Sequence, residues 1–277
     1  MKINYPLLDS VFRGCNSTYR RAVEQHASND NFFTGQNTSY DIIVQDGSIY
    51  VGGPKNVTGS NRLCVCYLKS SVKLQSEEFA PDALNLRIDI PTTFLRGDRK
   101  RLFTLYQIRF NVTTDYFDEQ SSSVFRNGYV GITKRHFLTR FNEHKTKVVN
   151  RTGSLLHSAW AGLINCGASF HPVIQLAGFA DDLDTIYAME EDAVRMTKTP
   201  LGLNMIDGGY AGIQELHTLG LLNRTGKVPV DEYLSAVDKI EQKLSKSPHY
   251  RKGHIRTISD NRKTWVSPCW VNVKNAA

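Results

Sequence analysis

The chain has 277 residues, of which 40% are hydrophobic, with 20 glycines and 9 prolines, enough apolar material for one large or two smaller globular cores. That composition excludes a disordered or fibrous chain. A formal charge of +7, from 34 Lys and Arg against 27 Asp and Glu, favours a polyanionic partner such as nucleic acid.

Five cysteines (Cys15, Cys64, Cys66, Cys166, Cys269) are scattered and lack C-x-x-C pairs, so neither a zinc site nor a redox motif is expected. They fit a reducing, cytoplasmic setting. The opening Met1-Lys2-Ile3-Asn4-Tyr5-Pro6 carries no long apolar h-region, and no apolar run approaches a membrane span. A cytoplasmic protein without membrane contact is therefore expected.

In chain order, residues 1–100 read as a β-rich accessory domain after a short helix around Ser17 to Gln25. Asp41 to Val44 and Ile49 to Val51 flank the turn dipeptide Asp46-Gly47 and predict a hairpin. Leu63 to Leu68 and Leu84 to Ile90 predict two further strands. A protein partner or dimerisation through this region is expected.

Residues 101–210 change character. A strand runs from Phe103 to Val112, a polar stretch passes through Ser121-Ser122-Ser123, and a short strand spans Tyr129 to Ile132. A helix is predicted over Lys134 to Val148, and a second is N-capped by Ser154 and carries Leu155, Leu156, Ala159, Trp160 and Leu163. Val173 to Leu176 predicts another strand, and Asp182 caps a helix through Ile186, Met189 and Val194. The order β, β, α, α, β, α makes a compact α/β unit.

Residues 211–277 form a C-terminal extension. A helix is predicted from Asp231 to Leu244, followed by a basic tail in which Arg251, Lys252, Arg256 and Lys263 alternate with Tyr250, Trp265 and Trp270. Cations interleaved with aromatics suit a surface that grips phosphates and stacks on bases. This tail is similar to a short basic tail found in various phage and plasmid proteins.

Six residues carry the candidate chemistry. Tyr106 and Tyr129 sit on adjacent strands, Arg140 and His144 share one helix face at i and i+4, Glu190 lies on a later helix, and Asn204 follows. Cutting a phosphodiester needs a water, a base, a cation and help for the leaving oxygen. Glu190 offers the hard oxygen donor that Mg²⁺ prefers, Arg140 a forked phosphate clamp, and a tyrosine a base if neighbouring charge lowers its pKa. Glu190 is preferred to Glu191 because its neighbours put it on the buried helix side, whereas Glu191 has Arg195 at i+4. His157 is either a further site residue or a core histidine.

Thr104-Leu105-Tyr106-Gln107-Ile108 and Gly128-Tyr129-Val130-Gly131, with Arg140-x-x-x-His144, Glu190 and Asn204 downstream, resemble the GIY-YIG endonuclease family over Phe103 to Gly209. The resemblance implies an α/β (α+β) module, a small antiparallel three-stranded sheet flanked by helices. It implies a DNA endonuclease using Mg²⁺ or Mn²⁺ on double-stranded DNA, of the phage, homing or restriction kind. Tyr106 becomes the general base beside Tyr129, Arg140 the phosphate ligand, His144 its assistant, Glu190 the metal ligand and Asn204 a polar support. The sequence departs at Thr104 and Leu105, where Gly and Ile are usual. It also has a long interval between the tyrosines, which is ascribed to a hairpin-loop insertion over Thr113 to Asn127. Arg99, Lys100, Arg101, Lys134, Arg135, Arg251, Lys252 and Arg256 are the expected backbone-phosphate contacts. The alternative is a DNA-binding protein that keeps the fold without catalysis.

Overall fold

A computed structural model describes residues 2–13, 15, 18–74, 83–97, 103–112, 117–219, 221, 249–251, 253–257 and 263–271. The expected helix Asp231 to Leu244 lies outside the described residues, as do Arg99, Lys100, Arg101 and Lys252.

Three short helices, α1 (Tyr5–Val11), α2 (Tyr19–Ala27) and α3 (Asn31–Thr34), precede the hairpin β1 (Thr38–Gln45) and β2 (Ser48–Asn56). Asp46 and Gly47 close that hairpin with φ of 50° and 77°, the primed-turn geometry that matches strand twist. β3 (Arg62–Leu68) and β4 (Leu84–Pro91) follow, then β5 (Phe103–Val112), α4 (Glu119–Asn127) and β6 (Tyr129–Thr133). α5 (Phe137–Val149), α6 (Leu155–Asn165), β7 (Phe170–Ala180), α7 (Leu183–Val194) and α8 (Gly209–Thr218) complete the main body. Short strands β8 (His249–Arg251), β9 (His254–Thr257), β10 (Lys263–Val266) and β11 (Cys269–Val271) form two two-stranded pairs.

The expected three-stranded sheet is corrected: one mixed sheet holds seven strands in the order β2-β1-β3-β4-β7-β5-β6. The antiparallel trio β7-β5-β6 is its final part. The two halves join where β4 pairs in parallel with β7, Arg87 to Asp89 against Val173 to Gln175. The boundary expected near residue 100 falls between β4 and β5, within this one sheet.

One sheet face buries a single apolar cluster. It joins Leu8, Val23 and Phe32 from the first helices to Ile42, Val65, Ile88, Ile108 and Ile174 on the strands, and on to Phe141, Leu156 and Trp160 of α5 and α6. On the other face α7 covers Phe103, Leu105, Val130 and Ala180 with Ile186 and Val194. On the face opposite Ile88 and Ile90, Asp89 of β4 bridges Arg87 at 2.6 Å and Arg109 at 3.3 Å. Sealing a carboxylate that is only 2% exposed requires such partners.

Two expectations need correction. The segment ascribed to a loop insertion contains α4, because Asp118 accepts from the Ser121 N–H at 2.7 Å as an N-cap and Val124 and Phe125 bury in the core. Trp265, expected on a stacking surface, is instead buried, with its ring centroid 5.9 Å from that of Phe125. The Trp265 backbone N–H donates to Ser121 Oγ at 2.7 Å, which ties β10 to α4.

Candidate active site

β5 and β6 bring the two tyrosines to one face of the sheet. Tyr106 pairs with Gly131 and Ile108 with Tyr129, so the side chains lie two residues apart on the same side. A Cβ at Gly131 would stand 3.0 Å from both tyrosine hydroxyls, so only glycine leaves room for both.

α5 supplies the next two groups. Its buried residues Phe137, Phe141 and Val148 pin the helix to the core, and this orientation points Arg140 and His144 at the tyrosines. Tyr106 Oη and His144 Nε2 are 2.9 Å apart, and the nearby Arg140 guanidinium opposes the rise in the phenol's pKa. Arg140 also pairs with Glu143 at 2.8 Å. The Tyr129 and His144 rings meet edge to face, with centroids 5.5 Å apart.

α7 brings the carboxylate. Asp182 caps its start by accepting from the Thr185 N–H at 2.7 Å, and Ile186 and Val194 anchor it. Glu190, four residues from each anchor, accepts from the Gly209 N–H at 3.1 Å, and the nearby Ile132 N–H of β6 lowers its pKa. Among the described residues β6 is the last strand of the sheet and pairs on its outer edge with no other strand. Asn204 serves the same edge: its side-chain amide accepts from Val130 N–H at 2.8 Å and donates to Val130 C=O at 2.9 Å. Two side chains thus finish an edge that would otherwise expose paired-strand hydrogen-bonding groups. Glu191 does not line the cleft, and Arg195, the ion-pair partner expected for it, contacts Asp192 at 3.3 Å instead.

The resulting cleft is about 340 Å³ and is lined by Tyr129, Arg140, His144, His157 and Glu190, with Lys147 at its wall. A larger groove of about 990 Å³, bordered by Arg13, Lys69, His136 and Lys145, includes none of the six candidate residues. Size alone would favour that groove; the clustered acid, base and phosphate-binding groups favour the smaller cleft.

Burial governs the protonation of the site. Tyr106 is pushed well above the usual phenol range by burial and by Tyr129, with Arg140 opposing. Tyr129 is raised to about 12 by burial and by Glu190, again against Arg140. His144 is lowered to about 2 by burial, then by Arg140, His157 and Lys147. His157 is lowered to about 4 by burial and Lys147. Both imidazoles are therefore neutral at physiological pH. Burial raises Glu190, and the two backbone N–H donors only partly offset it.

Among the described residues no group of three His, Cys, Asp or Glu forms a closed metal cage. The donor set fits Mg²⁺ or Mn²⁺ in a different way. Glu190 is a half-buried carboxylate lining the cleft, with its pKa raised by desolvation. Mg²⁺ commonly takes one or two carboxylates, with water and substrate phosphate as its other ligands. A cation there would relieve the desolvation of Glu190.

Lys134, Arg135 and Arg256 do not line this cleft. Exposed Lys134 lies over the Phe103 ring at 4.9 Å, and exposed Arg135 pairs with Glu143. Arg256 is exposed on β9, and Arg251 lies on β8. The cleft also contains His157 and Lys147, which were not among the predicted site residues. The Ser154-x-x-His157 spacing of a capping box was the available signal for the first. The placement of Lys147 one turn beyond His144 was the signal for the second.

No described helix is long and apolar enough to cross a membrane. Comparison with family models, curated proteins and solved structures finds no match.

Proposed function

We propose that this chain is a metal-dependent DNA endonuclease of the GIY-YIG type, hydrolysing phosphodiesters with Mg²⁺ or Mn²⁺. The observation that carries the reading is the convergence of Tyr106, Tyr129, Arg140, His144 and Glu190 from β5, β6, α5 and α7. A polyanionic substrate agrees with the charge of +7.

Arg140 holds a phosphate through its fork of donors, and its 27% side-chain exposure leaves it reachable from the cleft. Tyr106 is 1% exposed and lies behind the cleft-lining residues Tyr129, Arg140 and His144, with its Oη 2.9 Å from His144 Nε2 and influenced by the Arg140 guanidinium. Burial raises Tyr106 even further than Tyr129, so its service as base requires Arg140 and the bound cation to offset the phenolate charge. Its proton is released to solvent. The phenolate then takes a proton from the attacking water as the new P–O bond forms and the bond to the leaving oxygen breaks, with solvent protonating that oxygen. Tyr129, raised to about 12, stays protonated and donates to the phosphate. Glu190 is the residue that holds the divalent cation. When bound, that cation supplies positive charge that offsets the charge growing on the phosphoryl oxygens and lowers the proton affinity of nearby hydroxyls.

Supercoiled-plasmid nicking with Mg²⁺ or Mn²⁺ tests this reading. Glu190→Ala and Arg140→Ala are each expected to reduce nicking at least a hundredfold with folding intact. Undiminished cutting in both variants sinks the site assignment, and tight salt-sensitive binding without cutting by the wild type sinks the enzyme.

A further inference from the structure

The candidate site does not end at His144. His144 Nδ1 lies 2.9 Å from His157 Nε2, and His157 Nδ1 lies 2.8 Å from the Ser154 backbone nitrogen. The centroids of the two imidazoles are 5.1 Å apart and their planes 25° apart. With so short an N···N separation, the rings meet edge to edge rather than stacking face to face. His144 is 2% exposed, His157 4% and Tyr106 1%, so the row touches the cleft only at its edge.

The direction of this row follows from its far end. A backbone N–H can only donate, so His157 Nδ1 must accept from Ser154 and carry no proton. In a neutral imidazole the proton then sits on His157 Nε2 and is donated to His144 Nδ1. His144 in turn carries its proton on Nε2 and donates to Tyr106 Oη. The reverse polarity would leave the Ser154 N–H facing a protonated nitrogen. Gly153 protects the arrangement, because a Cβ there would stand 2.5 Å from His157 Nδ1.

We propose that His157 is a positioning residue that locks His144 into the Nε2-protonated tautomer, so that His144 always donates to Tyr106 and never competes for its proton. Its catalytic consequence rests on the nuclease reading; the tautomer itself does not. An ordinary core histidine would cap α6 without a nitrogen aimed at a second ring. Here both ring nitrogens are committed, one to the helix start and one to the site.

Nitrogen-15 NMR of the intact protein tests the polarity directly. The wild type is expected to show Nε2–H tautomers for both histidines and a scalar coupling across the bond between them. Nδ1–H tautomers, or no coupling, would overturn the proposal. His157→Leu is expected to release His144 into a tautomer mixture, while His157→Gln keeps it fixed, because a carboxamide can accept from Ser154 and donate onward. An unchanged His144 tautomer in His157→Leu also overturns it. Under Mg²⁺, His157→Leu should lower kcat for nicking at least tenfold with little change in KM, and His157→Gln should recover most of the loss. A fall confined to KM counts against positioning. A wild type that does not cut removes the nuclease reading and leaves the tautomer result to decide this one.

Discussion

The side-chain amide of Asn204 bonds both backbone groups of Val130, at 2.8 Å to its N–H and 2.9 Å to its C=O. It acts as a one-residue substitute for a missing strand on the free edge of β6, with Thr197 Oγ1 donating to its Oδ1 at 2.8 Å. Asn204→Ala would leave two buried backbone groups without partners, each costing roughly 1–3 kcal/mol. A loss of about 2–4 kcal/mol in urea unfolding is expected on that basis. A loss of less than about 1 kcal/mol would mean that β6 does not depend on this staple.

Gly131→Ala tests the tyrosine pair. The added methyl would meet Tyr129 Cε1 at 2.9 Å and both hydroxyls at 3.0 Å, so the rings must move. Overpacking of this kind costs about 1–3 kcal/mol. The expected signature is a loss of nicking far larger than the loss of stability; wild-type cutting in this variant would show that the hydroxyl positions are unimportant.

Acid should weaken the fold through the two histidines. Their folded pKa values, about 2 for His144 and about 4 for His157, lie below the unfolded value near 6.5. Between those values the unfolded chain binds more protons, so stability is lost as pH falls below about 6.5. Glu190 acts in the opposite sense, because its folded pKa is raised above 4.5 and its desolvation is relieved on protonation. Two histidines against one carboxyl set the net direction. Urea titrations at pH 7, 6 and 5 should therefore show a steeper decline for the wild type than for the double variant His144→Gln, His157→Gln.

Metal binding should register as thermal stability. A ligand that binds only the folded chain raises Tm by mass action. Millimolar Mg²⁺ or Mn²⁺ is expected to raise Tm at pH 7.5, with the gain shrinking as acid protonates Glu190 and disappearing in Glu190→Ala. An equal gain in that variant would place the cation elsewhere.

Several elements were legible because the signal was local. Asp46-Gly47 carries its own turn preference, Ser154 and Asp182 announce helix starts, and the periodicity of Phe137, Phe141, His144 and Val148 fixes which face of α5 turns inward. The i, i+4 spacing alone put Arg140 and His144 on one helix face. α4 was hidden because serines at Ser121 to Ser123 weaken the helical pattern, while the burial that stabilises it involves β10, more than a hundred residues away. The ion pair predicted for Glu191 failed because Asp192 competes for Arg195 on the same exposed surface.

By itself, the sequence determined the chemical identities of the candidate site and the helices and strands that carry most of them, since capping, turn preference and periodicity act within a few residues. Only the tertiary structure decided the rest. That β4 and β7 join two halves into one sheet depends on pairing across more than eighty residues. That His157 stands behind His144, and that Asn204 and Glu190 close the edge of β6, depends on packing that brings separate elements within hydrogen-bond distance. Local patterns have no term for such distances, so Tyr106 was named from its motif while the row of rings behind it became visible only in three dimensions.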